Sequence, residues 1–285
     1  MRRWLLIVGL FSCLSAQAQS PVWTLRGIHN TVYLAGSVHL LKTGESSLPP
    51  AFERAYAAAK TLVMEVDVDQ LDSPEAQTLL LEKGMFADGS SLRAAIGEAH
   101  YARLATEAAR LGLPIEGLDP FEPWAVALTL TQLEYAQLGF DPEEGVEKQL
   151  GRRAHRDGKK IEGLETLEEQ INILAGLSAT DQVSFLDQTV DELKDTERDT
   201  REILAAWRSG NAAKLAALMS EEYAKSPSLY RELVTNRNRR WLPQIERLLK
   251  GDQDYLVVVG ALHLIGDGGL LQLAKAEGFE PRPLQ

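Results

Sequence analysis

Apolar residues in this chain gather into short runs bounded by glycine, proline and polar residues. Two of the runs share one construction. Residues 31–41 read TVYLAGSVHLL, and residues 255–265 read YLVVVGALHLI. In each, an aliphatic, β-branched stretch ends at a glycine and a histidine follows three positions later: Gly36 and His39, then Gly260 and His263. Such runs are too short for a buried helix and have the length of a buried strand. A third run, TLVMEV at residues 61–66, carries Glu65 at a corresponding place. The pattern predicts three buried strands that end in His, Glu and His, the walls of one site.

The rest of the pattern supplies the frame. Residues 22–26 and 31–35 are β-rich, separated by a turn, and read as a hairpin. Pro49-Pro50 opens a helix over 51–60 whose Phe52, Ala55, Tyr56 and Ala59 share one face. Strand, helix, strand in this order is a parallel unit. Helical spacing recurs at 74–83, 98–111 and 123–138, punctuated by Gly84, Gly97, Gly112 and Gly139. Two segments of the form Ile-Glu-Gly-Leu-acid, 115–119 and 161–165, follow helices and read as two further parallel strands. From 167 to 250 the chain is almost all helix. Asp181 is a candidate cap for a long helix through Trp207, Gly210 is its stop, and Pro243 is a kink in the last helix. A strand at 255–260, a glycine-rich turn at 266–269, a helix at 270–277 and a strand at 279–283 complete the chain. The predicted fold is α/β: a central, mainly parallel sheet with flanking helices and a large helical insertion, residues 74–157, all within one domain, residues 19–285.

The first 18 residues follow another pattern. Arg2 and Arg3 precede an apolar stretch, residues 4–14, and Ala16-Gln17-Ala18 is a small-x-small cleavage signal. This reads as a secretory signal peptide, too short to span a membrane stably. Cys13 also fits a lipoprotein pattern loosely. Cleavage after Ala18 predicts a periplasmic or secreted protein with no membrane anchor beyond the removed leader. Cys13 is the only cysteine, so the mature chain would hold neither a disulfide nor a thiol nucleophile. Loss of Arg2 and Arg3 leaves 28 basic residues against 41 acidic ones. A surface of that sign disfavours nucleic acid and anionic lipid as partners.

The chemistry therefore rests on His39, Glu65 and His263. In an open parallel sheet, functional groups collect beyond the carboxyl ends of the strands. Two imidazoles and a carboxylate match the ligand set of Zn²⁺ hydrolases and of Mn²⁺, Fe²⁺ or Co²⁺ sites with open positions. A metal there would acidify a bound water. A metal-free arrangement uses the same groups, one His as general base with Glu65 orienting it. Arg237 and Asn238, in the basic cluster NRNRRW at 236–241, are candidates to point inward, where Arg237 would clamp a substrate carboxylate or orient Glu65. Arg239 and Arg240 read as a solvated face. Asp67, Asp119, Glu162 and Glu165 lie near strand ends as possible supporting groups, and His29, His100 and His155 receive no role. No HExxH helix, Gly-x-Ser-x-Gly elbow, phosphate-binding loop or dinucleotide fingerprint is present.

Taken together, Ala35-Gly36-Ser37-Val38-His39, Met64-Glu65-Val66-Asp67, Gly163-Leu164-Glu165-Thr166 with Glu169-Gln170, Arg237-Asn238, and Gly260-Ala261-Leu262-His263 resemble the TraB/GumN family. That family includes the TIKI and pheromone-shutdown proteins and is distantly similar to erythromycin-esterase-like and ChaN-like haem-binding proteins. The resemblance implies a metal-dependent peptidase favouring Mn²⁺ or Co²⁺, with Zn²⁺ or Fe²⁺ as alternatives. His39, Glu65 and His263 would be its metal or catalytic residues, Arg237 and Asn238 would support them, and a peptide or protein would be the substrate. Two other expectations stand beside it: a binding protein that holds a metal, haem or peptide without chemistry, and a metal-free esterase.

Overall fold

The computed structural model describes residues 20–285, the side chains of 221–223 excepted. The leader read from the sequence lies outside the described residues. Among the described residues there are eight strands: β1 (Val22–Arg26), β2 (Thr31–Ser37), β3 (Leu41–Lys42), β4 (Thr61–Met64), β5 (Phe140–Asp141), β6 (Lys160–Gly163), β7 (Tyr255–Gly260) and β8 (Arg282–Pro283). Six of them form one sheet in the order β6-β4-β7-β2-β1-β8, and β3 pairs with β5 apart from it. The four strands β6, β4, β7 and β2 run parallel, and β1 and β8 add antiparallel at one edge.

The alternation along β2 and β7 explains why they sit in the middle. Tyr33, Ala35, Leu256 and Val258 join the core on one face, and Val32, Leu34, Val257 and Val259 join the core on the other. A strand buried on both faces has to be apolar at every position. Helices supply both coverings. On the first face lie α1 (Pro50–Ala58), α6 (Val146–Asp157) and α9 (Thr196–Arg208), through Phe52, Leu150 and Trp207. On the second lie α12 (Asn236–Leu248) and α14 (Leu270–Ala276), through Trp241, Ile245, Leu270 and Ala274. A third core is purely helical and joins α4 (Leu92–Arg110), α5 (Pro123–Gln137) and α8 (Ala179–Glu192). The remaining helices are α2 (Val68–Leu71), α3 (Pro74–Gly84), α7 (Leu167–Ala175), α10 (Ala212–Tyr223), α11 (Pro227–Tyr230) and α13 (Ala261–Leu264). Among the described residues no helix is long and apolar enough to cross a membrane.

Four local expectations are corrected. The long helix expected through Trp207 is broken by a 3₁₀ turn, Leu193–Asp195, into α8 and α9, and the strand expected at 279–283 is reduced to Arg282–Pro283. Residues 115–119 are not a strand: Ile115–Leu118 is one turn of 3₁₀ helix, closed by Gly117 N–H to the Pro114 carbonyl and Asp119 N–H to the Glu116 carbonyl. The place a strand could take beside β4 is filled by β6, residue for residue from Thr61 and Lys160 to Met64 and Gly163. The cap of α8 is Ser178, whose hydroxyl accepts from the Asp181 N–H, and Asp181 stands in the first turn.

Candidate functional site

The site grows from the register of the sheet. β2 and β7 are immediate neighbours, with Ser37 opposite Gly260, and β4 flanks β7 with Met64 opposite Val258. Parallel strands put all their carboxyl ends on one edge, so His39, Glu65, Glu165 and His263 emerge from neighbouring strand ends. Gly36 lets the two histidine turns close on each other: a Cβ there would lie 3.1 Å from the Ala261 Cα. Gly260 marks the centre. A Cβ on it would lie 3.3 Å from Glu65 Oε1, 3.4 Å from His39 Nε2 and 3.7 Å from His263 Cδ2. The three residues singled out from the sequence thus surround one small cradle that only a glycine leaves open.

Behind the cradle is a buried ionic cluster. A wide π turn over Arg231–Thr235 leads into α12 and aims the start of that helix at the strand ends. All five N–H groups of Arg237 are used. Nε and Nη2 donate to Glu165 Oε1 at 3.0 and 2.6 Å, Nη2 also donates to Glu65 Oε2 at 2.5 Å, and Nη1 donates to the Leu233 carbonyl and to His263 Nε2, each at 3.1 Å. Trp241, one turn on, donates its indole N–H to Glu165 Oε2 at 3.2 Å and lies 4.6 Å beneath the Arg237 guanidinium. Asn238 is saturated too. Its Nδ2 donates to the carbonyls of His263 and Gly268, so its Oδ1 faces His263 Nδ1, 2.7 Å away. That arrangement places the His263 proton on Nδ1 and leaves Nε2 as acceptor for Arg237.

The charges follow from these contacts. Burial pushes the Glu65 carboxyl up, but His263, Arg237, His39 and the Gly260 N–H, 2.7 Å from Oε1, outweigh it and hold the group at about 2. Burial pushes His263 down to about 4, so it is neutral. Burial raises Glu165 despite Arg237 beside it. His39 differs from all of these. Its ring is 65% exposed, and Nδ1 meets Glu147 Oε1 at 2.9 Å. The Glu147 carboxylate beside it raises it to about 9.

The sequence-based candidates therefore sort into two kinds. His39 and Glu65 present atoms to the cradle, whereas Arg237, Asn238 and His263 are locked to one another around it. Arg237 contacts Glu65 and has no N–H left for a substrate carboxylate. Glu165 belongs to the cluster, while Asp67 caps α2 and Glu162 pairs with Lys160. Arg239 and Arg240 are exposed, and His100 and His155 pair with Asp187 and Asp69 away from the site. Glu147, in the first turn of α6, was not singled out from the sequence. It has no motif around it and sits in a helix rich in charge.

As arranged, these residues do not fit the expected divalent metal. His263 turns carbon, not nitrogen, toward the cradle, and its Nε2 is spent on Arg237. Both oxygens of Glu65 are engaged, one by a guanidinium whose charge would repel a cation beside it. Among the described residues no group of three or more His, Cys, Asp and Glu side chains is placed to hold a metal ion.

Comparison with known proteins agrees with the motifs. "Uncharacterized protein YbaP" of Escherichia coli (strain K12) is 26% identical over 243 residues, covering 85% of this chain and 87% of the relative. The protein of the same description from Shigella flexneri matches equally. No solved structure matches the chain. The model of the TraB/PrgY/gumN family matches residues 21–283, from the start of β1 to the end of β8, and the chain belongs to that family.

Proposed function

We propose that the chain is an exported hydrolase that cleaves neutral acyl compounds, an ester or an internal peptide bond, with His39 as its proton-transfer group. One observation carries this. Of the titratable groups round the cradle, His39 alone has an unengaged nitrogen facing it, in a ring open to solvent, with a pKa of about 9 against about 4 for His263 and about 2 for Glu65. A proton-transfer group must lie within hydrogen-bond reach of the reacting proton, and the free Nε2 of His39 is the nitrogen that faces the cradle. In its neutral form Nε2 takes a proton from water as the water oxygen bonds to the carbonyl carbon. The imidazolium then returns that proton to the leaving oxygen or nitrogen as its bond to carbon breaks. Arg237 holds Glu65 in one position and charge state beside His39, already in place before substrate arrives.

The saturation of Arg237 and Asn238 supports neutral substrates: neither has a donor to spare for a terminal carboxylate. The test is a substrate panel offered to the mature chain, with esters, internal peptide bonds and peptides cleaved next to a free carboxyl terminus, each with and without Mn²⁺ or Co²⁺. Turnover of the first two classes without added metal is expected. Turnover that needs metal, together with stoichiometric metal lost in His39→Ala, would replace this with the metallopeptidase implied by resemblance to the TIKI proteins. Absence of turnover on every class would leave a binding protein.

A further inference from the structure

We propose that Glu147, assisted by Ser37, is the positioning residue of His39, delivered to it by α6. This rests on the hydrolase reading for its consequence but not for its geometry. Three observations converge. The start of α6 is pressed against the His39 turn: Val146 N–H donates to the Val38 carbonyl at 3.1 Å. Gly145 permits that approach, because a Cβ on it would stand 2.1 Å from the His39 carbonyl oxygen. One residue further, Glu147 Oε1 takes both the His39 Nδ1 contact at 2.9 Å and the Ser37 hydroxyl.

The division of the His39 ring follows. Its Nδ1 edge is bound to a carboxylate whose side chain is only 12% exposed, while its Nε2 edge faces the cradle. A hydrogen bond at one ring nitrogen decides which nitrogen is left to react. With the proton held on Nδ1, the lone pair of neutral His39 is on Nε2, where it takes a proton from the attacking water. The carboxylate stabilises the imidazolium that forms, and the proton on Nδ1 stays there. The positive end of α6 favours the negative charge of a glutamate in its first turn. Ser37 occupies the remaining approach to the same oxygen and leaves Glu147 one geometry.

The test has an arm that needs no substrate. In the wild-type mature chain the His39 Nδ1 proton is expected as a downfield imidazole resonance in low-temperature NMR, assigned by its loss in His39→Ala. It should move upfield or vanish in Glu147→Gln and stay in His263→Asn. In the kinetic arm, Glu147→Gln should lower kcat by about 10²-fold with KM nearly unchanged and an unchanged melting temperature, and Glu147→Asp should restore part of the loss. Adding Glu147→Gln to His39→Ala should cost nothing more, because Glu147 acts through His39. An unshifted resonance in Glu147→Gln, full activity of that variant, or additive losses in the double variant would each overturn the proposal. If no substrate is turned over the hydrolase reading fails, and the resonance alone decides the role of Glu147.

Discussion

At the scale of single residues, the site separates a group that moves a proton from groups that stay fixed, and each kind has its own signature. His39 is exposed, so His39→Ala is expected to leave the melting temperature alone and to lower kcat/KM by about 10²–10⁴-fold. The activity of the wild type should climb as pH rises toward about 9, the value at which His39 gives up its proton and Nε2 becomes a base. A rate that falls over that range would remove His39 from the role. Arg237 is of the other kind. It is buried between Glu65 and Glu165, and Arg237→Ala leaves two carboxylates without their cation. Urea denaturation should show a loss of about 3–5 kcal/mol. Arg237→Lys should recover little, since an ammonium has three donors where the cluster uses five. How much of this was legible beforehand depends on motif. His39, Glu65, His263, Arg237 and Asn238 stood out because glycine-punctuated strands and a basic cluster in an acidic chain are visible patterns. Glu147 was invisible, because a glutamate in a charged helix looks the same whether or not its helix docks on a histidine turn.

At the scale of elements, strands were read well wherever an apolar run could not be anything else. β2, β4 and β7 are apolar through their middles, at residues 32–35, 62–64 and 256–259, because both faces are covered there, and no helix of that length would bury all its sides. The paired Ile-Glu-Gly-Leu segments show where such reading stops. In one copy the first three of these residues end β6, and in the other all four form a 3₁₀ turn. What decides between them is the place beside β4, which only one segment can fill, and no local pattern records that. The strand ends also offer a test that separates site from scaffold. Gly260 has φ −48° and ψ 137°, which any L-residue adopts, so Gly260→Ala carries no backbone penalty. The new methyl would enter the cradle, about 3.3 Å from Glu65 Oε1 and 3.4 Å from His39 Nε2. A folded protein with a melting temperature near wild type and activity reduced by about 10²-fold is expected. An active Gly260→Ala would place the chemistry elsewhere.

At the scale of the whole molecule, the sheet gathers strands from both ends of the chain, so the site and the global fold share one core and respond to acid together. His263 is buried and neutral, with a folded pKa of about 4, below its ordinary 6.5. A depressed pKa contributes stability that is full above the unfolded value and is lost as pH falls through the folded one. His263 therefore weakens the fold between about pH 6.5 and 4, by on the order of 3 kcal/mol. Glu65 adds a further loss as pH falls from about 4.5 to about 2. Urea midpoints measured against pH should show the first decline in the wild type and a shallower one in His263→Asn; equal slopes would mean that His263 is not buried neutral. The pairing of His39 with Glu147 runs the other way, present below about 6.5 and lost as pH rises through about 9, and because the His39 ring is open to solvent it adds little to the fold. The measurement that bears most directly on the whole is kcat/KM for the best ester or internal peptide of the panel, taken with a chelator present, for the wild type and for His39→Ala. Undiminished wild-type turnover in the chelator, with a loss of about 10²-fold or more in the variant at an unchanged melting temperature, is the expected result. Equal activity in the two proteins, or wild-type activity abolished by the chelator and restored by Mn²⁺, would contradict it.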